Sequence, residues 1–237
     1  MKRLSINNFL ARHIWPKGTY AWLRAGALIS VLVLIFVYAG CMPYVALYNY
    51  EPHEGDIIFQ SLYPVEIVRA IEGATHSPYS HCGLVLRDKD GRWFVREALG
   101  SVHDTPIKKF VVRGRLGAVD IYRLKTPPQD LGPKLQESSA RWLGWPYDSR
   151  YRPDDHEIYC SELVWKSYHP MGIDLGQWQT LGSLNWQPYE NTIRKLESGG
   201  LPLDRPMITP RAVAESDQLS LVYSWGSLGE RIKPLDH

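Results

Sequence analysis

"SHCGLVLRDKDGRWFVREAL", residues 80–99, is two apolar runs separated by a polar turn. The runs 80–87 and 92–99 flank "DKDG", the pattern of a β-hairpin. Gly91 suits the left-handed position that closes a three-residue loop, Lys89 to Gly91. Such a loop pairs Asp88 with Arg92 and sets the register of the whole ladder. His81 and Glu97 then fall diagonally on one face, within side-chain reach. A loop one residue shorter or longer would send them to opposite faces, because side chains alternate along a strand. Glu97 belongs to a run that should be largely buried, where a carboxylate is rare unless paired.

Around the hairpin, "DIIFQ" (56–60), "AVDIYRL" (118–124) and "QLSLVYSW" (218–225) read as further strands. "PVEIVRAIEGA" (64–74) reads as a helix entered at Pro64, with Val65, Val68 and Ile71 on its buried side. "GPKLQESSARWLG" (132–144) reads as a second, burying Leu135, Ala140 and Leu143, and "TPRAVAES" (209–216) as a short third. Residues 169–209 are rich in Pro, Gly, Trp and Asn without strong periodicity, which suggests an ordered loop region or lid. Strands in a meander with segregated helices make an α+β fold with an antiparallel sheet.

The N-terminus is separate. Lys2, Arg3, Arg12, Lys17 and Arg24 precede the first acidic residue, Glu51, and no charge lies between Arg24 and Glu51. The uncharged stretch 25–47 matches the length needed to span a hydrocarbon core of roughly 30 Å. Its basic flank predicts residues 1–24 in the cytoplasm and 51–237 outside, a periplasmic placement. Trp15, Trp22, Tyr38 and Tyr44 lie where interfacial aromatics would. "VYAGC", ending at Cys41, offers the alternative of a lipoprotein signal, although Tyr38 fits that pattern poorly. A net charge of +2 gives no case for nucleic acid as a partner.

"EIYCSELVWKSY" (157–168) places Cys160 in the first turn of an apolar helical pattern. Unpaired N–H groups at a helix start stabilise a thiolate, and histidine is the usual acceptor of the thiol proton. Of eight histidines, His13 and His237 lie on the flank and at the terminus, and His53, His103, His156 and His169 sit among charged or turn residues. His76 is in a loop. His81 remains as the base, Glu97 as the group that orients it, and the N–H of Cys160 as the oxyanion donor. A zinc site from His76, His81, Cys82 and Cys160, or a Cys82–Cys160 disulfide, is opposed by strand alternation, which turns Cys82 away from His81. No CxxC, HExxH or nucleotide loop appears, so neither metal nor cofactor is expected.

"GDIIFQ", "SHCGLV", "VREA", "YDSRY", "IYCSELVW" and "ITP", in that order, resemble the YiiX-like permuted papain-fold hydrolases, related to the NlpC cell-wall peptidases. The resemblance covers roughly 54–225. The histidine precedes the cysteine, which is the permuted order. The resemblance implies a permuted papain-like fold over the soluble domain and a catalytic unit of Cys160, His81 and Glu97. It also implies an amide-cleaving cysteine hydrolase acting through an acyl-enzyme on cell-wall peptides or amino-acyl amides. Lipid acyl hydrolysis or transfer, and a membrane-tethered binding module without catalysis, are the alternatives. Tyr147 and Asp148, beside the nucleophile, are expected to grip a substrate amine.

Overall fold

The hairpin forms in the expected register. In the computed structural model, which describes residues 19–152, 156–197, 200–226 and 228, β2 (His81–Arg87) pairs with β3 (Trp93–Leu99) through Leu84↔Arg96 to Arg87↔Trp93. Gly91 has φ +80°, and its N–H donates to the Asp88 carbonyl at 2.9 Å. Ladder pairing between the two strands runs from Leu84 to Arg87, and at Gly83 the backbone still lies close against β3. Gly83, at that point, has no room for a side chain: a Cβ there would meet Val95 and the Arg96 carbonyl.

The hairpin is the centre of a six-stranded antiparallel sheet. Its order is β4 (Ser101–Pro106), β3, β2, β1 (Asp56–Gln60), β5 (Val119–Leu124) and β8 (Leu219–Trp225). β1 is wholly buried and β2 nearly so, which accounts for their continuous apolar runs. β6 (Gln179–Thr180) and β7 (Pro206–Met207) make a separate two-stranded ribbon.

One face of the sheet, with Ile57, Phe59, Cys82, Leu84 and Leu86, shares a core cluster with residues of α4 (Leu131–Ala140), α5 (Cys160–Tyr168) and α7 (Pro210–Ala214). α3 (Ile107–Arg113) packs on β3 and β4 and stacks Phe110 on the His81 ring. Neither β4 nor α3 was expected. "SVHDTP" alternates, but in polar residues, and only Val102 and Thr105 of it are buried.

Two buried faces differ from expectation. In α4, Leu135 is buried, but Ala140 is exposed and Leu143, beyond the helix end, is 43% exposed. Ser138 and Ser139 take their place because α4 lies against α5: the Ser138 hydroxyl donates to the Ser167 carbonyl at 2.7 Å. In α2 (Glu66–Ala74) the buried residues are Val68, Glu72, Gly73 and Ala74, while Val65 precedes the helix and is exposed. The Tyr189 hydroxyl occupies the place a Gly73 side chain would take. Within 169–209 the described residues form three short 3-10 turns, β6, β7 and α6 (Glu190–Glu197).

By contacts the chain divides at Met42/Pro43. The first unit holds most of α1 (Thr19–Ala46), whose segment Leu23–Ala46 is long and apolar enough to cross a membrane. Within the second unit, the Tyr223 hydroxyl donates to the Ala46 carbonyl at 2.8 Å and Lys108 lies 3.5 Å from the Tyr44 ring centre. Trp15 and the basic residues before Thr19 lie outside the described residues.

Candidate active site

α5 starts at Cys160 with Tyr159 extended before it and no capping side chain, so its first-turn N–H groups are not taken by a cap. Two hydrogen bonds fasten this helix start to Ile208. The Ile208 N–H donates to the Tyr159 hydroxyl at 3.0 Å, and the Ser161 hydroxyl donates to the Ile208 carbonyl at 2.8 Å. Cys160 is 1% exposed.

His81 and Glu97, both buried, meet as the register requires, with Nε2 2.5 Å from Glu97 Oε2. The His81 side chain also acts on Cys160, for which Nδ1 is the nitrogen left over. Burial works against the charged ring, but the hydrogen bonds to Cys160 and Glu97, with their charges, push His81 up to about 9. Burial would raise Glu97. The hydrogen bond and charge of His81, helped by the charge of Arg113, bring it down to about 2. Arg113, the last residue of α3, reaches the same oxygen, Oε2, that His81 uses. Its sequence signal, "FVVR", belongs to a helix that sequence reasoning passed over.

Cys82 requires a correction. Alternation does turn it from His81 and into the core, but the face it turns toward is the one covered by α5, where it shares a cluster with Cys160 and acts on its thiol. His81, the first residue of β2, meets the same sulfur from the end of the strand. Burial and the Cys160 charge push the Cys82 thiol well up, so it stays protonated. The Cys160 thiol is held well below its ordinary value. The Cys82 thiol is the largest cause, and His81 adds to it against burial. Glu162, in the same turn, is pushed up to about 7 by burial despite Lys166 at 3.0 Å, which limits negative charge beside the thiolate.

The loop after α4 returns Tyr147 and Asp148 to this place, tied by the Tyr147 N–H to the Gly100 carbonyl at 3.0 Å. The Tyr147 hydroxyl is 3.1 Å from that of Tyr151, and both phenols feel the Cys160 charge. Asp148 is fully buried, and its carboxylate accepts from the backbone N–H of Arg150 and Arg152. Tyr151 has φ +54°, uncommon for a residue with a side chain, and its ring packs on Tyr159 at 4.7 Å.

A thiol at a helix start, an imidazole and a carboxylate joined in series on an α+β scaffold define the papain-like class of thiol hydrolase. The chain belongs to the permuted papain-like amidases, the YaeF/YiiX or C92 family, whose model matches residues 51–223. It is 34% identical over 189 residues, 75% of its own length and 92% of the relative's, to the uncharacterized protein YiiX of Escherichia coli strain K12. In structure it resembles metalloprotein yiiX of Escherichia coli O157:H7, with a TM-score of 0.71 at 32% identity, covering 74% of this chain and 99% of that one. Here, among the described residues, no group of three or more His, Cys, Asp or Glu side chains is placed to share one metal ion. His76 is exposed, away from any such group. Among the described residues, the side chains present do not fit a metal.

Proposed function

We propose that this family member is a membrane-tethered cysteine amidase in which Cys160, His81 and Glu97 form the catalytic unit. The observation that carries the reading is the buried His81–Glu97 pair at 2.5 Å next to a buried thiol at the start of a helix. The Cys160 thiolate attacks the amide carbonyl carbon, forming the C–S bond. The carbonyl electrons move onto oxygen, held by N–H groups at the start of α5. Collapse breaks the C–N bond, and His81 gives its proton to the leaving amine. Water, deprotonated by His81, then attacks the thioester, and the acid departs with return of the thiolate.

Tyr147 and Tyr151 border the reacting sulfur and would contact substrate. Asp148 would act mainly by holding their loop, since its carboxylate is committed to backbone N–H groups. The basic flank of 25–47 supports an extracytoplasmic domain working on peptide, amino-acyl or lipid amides at the cell envelope.

The test is hydrolysis of small aminocoumarin amides with intact mass spectrometry to catch the acyl-enzyme. Cys160→Ala should be inactive and form no adduct; turnover by that variant would end the nucleophile assignment. Reporter fusions at the C-terminus test the placement: activity from a cytoplasm-only reporter alone would overturn it.

A further inference from the structure

We propose that the outer side of α3 and the segments beside it form a docking face for an anionic bilayer surface, on which the catalytic domain lies. This rests on the membrane-tether reading and adds what the domain itself contributes at the membrane. α3 has two sides. Ile107, Phe110 and Val111 are buried, with Phe110 stacked on the His81 ring at 5.6 Å. Lys108, Lys109 and Val112 are exposed.

Further apolar side chains extend the exposed side. The turn after α3 leaves Leu116 61% exposed on a left-handed backbone, φ +57°. The Arg115 N–H donates to the Ser61 carbonyl at 2.7 Å, which brings segment 62–65 alongside. That segment exposes Tyr63 and Val65. Leu116 combines an unfavourable backbone with an aliphatic side chain in water, and exposed patches of this kind mark contacts with a membrane or another protein.

The place where the chain enters favours the bilayer. Leu23–Ala46 is 24 residues, about 36 Å of helix, against a hydrocarbon core of roughly 30 Å. Tyr44 and Tyr48, both exposed, therefore fall at headgroup level when that segment spans. Lys108 lies 3.5 Å from the centre of the Tyr44 ring, within the same unit of the fold. α3 is thus one side chain from the headgroups. Charge agrees, since four basic residues and no acidic one lie between Asp104 and Asp120. Arg113 and Arg115 are paired with the buried Glu97 and Glu72. Lys108 and Lys109 remain for lipid phosphates, each worth about fivefold in binding to an anionic surface. The helix whose buried side steadies the His81 ring thus rests its other side on lipid.

The experiment places the full chain in nanodiscs with a diazirine-bearing phospholipid and maps the adducts by mass spectrometry. In phosphatidylglycerol discs, adducts should concentrate in 44–48, 62–65 and 107–116 and spare α4, which covers the other face of the sheet. Lys108→Gln with Lys109→Gln should cut the α3 adducts several-fold, as should phosphatidylcholine discs for wild type. Leu116→Asn relieves the backbone, so it should raise the urea midpoint while lowering the adducts. Adducts spread evenly over the domain, or confined to residues before Pro43, would overturn the proposal and leave the tether standing. So would an α3 free of lipid and crosslinked to another protein chain. If alkaline carbonate extracts the full chain from membranes, the tether reading fails, and co-sedimentation with phosphatidylglycerol vesicles decides the face. Binding weakened roughly 25-fold in the double lysine variant supports it; equal binding, or none by wild type, refutes it.

Discussion

The buried thiols of Cys82 and Cys160 share one core cluster, and the neutral Cys82 thiol favours the thiolate form of Cys160. The nucleophile therefore has two partners, an imidazole and a second thiol, and the second is the larger cause of its lowered pKa. Cys82→Ala removes that thiol while changing little volume. Iodoacetamide labelling of Cys160 below neutral pH should slow several-fold, with its titration moved upward. Cys82→Ser keeps a donor and should restore most of the rate. Identical pH profiles for all three proteins would show that the contact has no electrostatic effect.

The same adjacency has a redox consequence. Peroxide converts a thiolate to a sulfenic acid, and a neighbouring thiol displaces water from it to form a disulfide. Mild peroxide treatment should link Cys82 to Cys160, with loss of activity and full recovery on thiol reduction. Sulfinic acid at Cys160 without any crosslink would count against it.

Members of one catalytic unit are not additive. Cys160→Ala and His81→Ala should each abolish amide turnover, and the double variant should be no worse. Glu97→Gln accepts a hydrogen bond but cannot balance the imidazolium, so a loss of roughly 10- to 1000-fold is expected by comparison with other triads. His76→Ala should match wild type. Steady-state kinetics on one substrate decide all five variants.

Arg113 and His81 share Glu97 Oε2, so Arg113 takes part of the charge that would otherwise act on the imidazole. Removing it in Arg113→Met leaves Glu97 Oε2 to His81, with His103 and Thr105 still beside the carboxylate, and raises the pKa of both Glu97 and His81. The alkaline limb of the activity profile, expected near the His81 value of about 9, should then move upward. Arg113→Lys should return it toward wild type. A lower rate at every pH with an unmoved limb would make Arg113 a packing residue only.

Stability should carry the same signature. His81 is raised from 6.5 to about 9, so its contribution is complete below 6.5 and lost as pH rises through about 9. Glu97 is lowered from 4.5 to about 2, so its contribution is complete above 4.5 and lost as pH falls toward about 2. The difference in urea midpoint between wild type and Glu97→Gln should be greatest between pH 4.5 and 6.5. A difference independent of pH would mean that the pair is not ionised in the folded state.

What could be read in the sequence depended on whether the local pattern and the packing agreed. Gly91 has one good conformation in a three-residue loop, so the register and the His81–Glu97 meeting followed from it. Cys160 was legible because an apolar helical stripe begins at that residue. β4 was not, since it lies at the sheet edge and carries Ser, His, Asp and Pro, and α3 was missed with it. Arg113 was lost for that reason. Cys82 is a core residue turned from His81, as alternation implies, but alternation says which way a side chain points, not that Cys160 lies there too. Residues 169–209 had no period to find, because their shape comes from short turns closing over aliphatic side chains.

Gly73 sits inside α2, where glycine costs about 1 kcal/mol relative to alanine. The Tyr189 hydroxyl fills the space beside it, so the two positions are not free to diverge separately. In a descendant of this chain, even alanine at 73 must be preceded by a smaller residue at 189, and a lineage that restores tyrosine must first restore glycine. The order of substitutions is thus constrained by a single contact, and the two columns should covary across the family although neither residue touches the reacting sulfur.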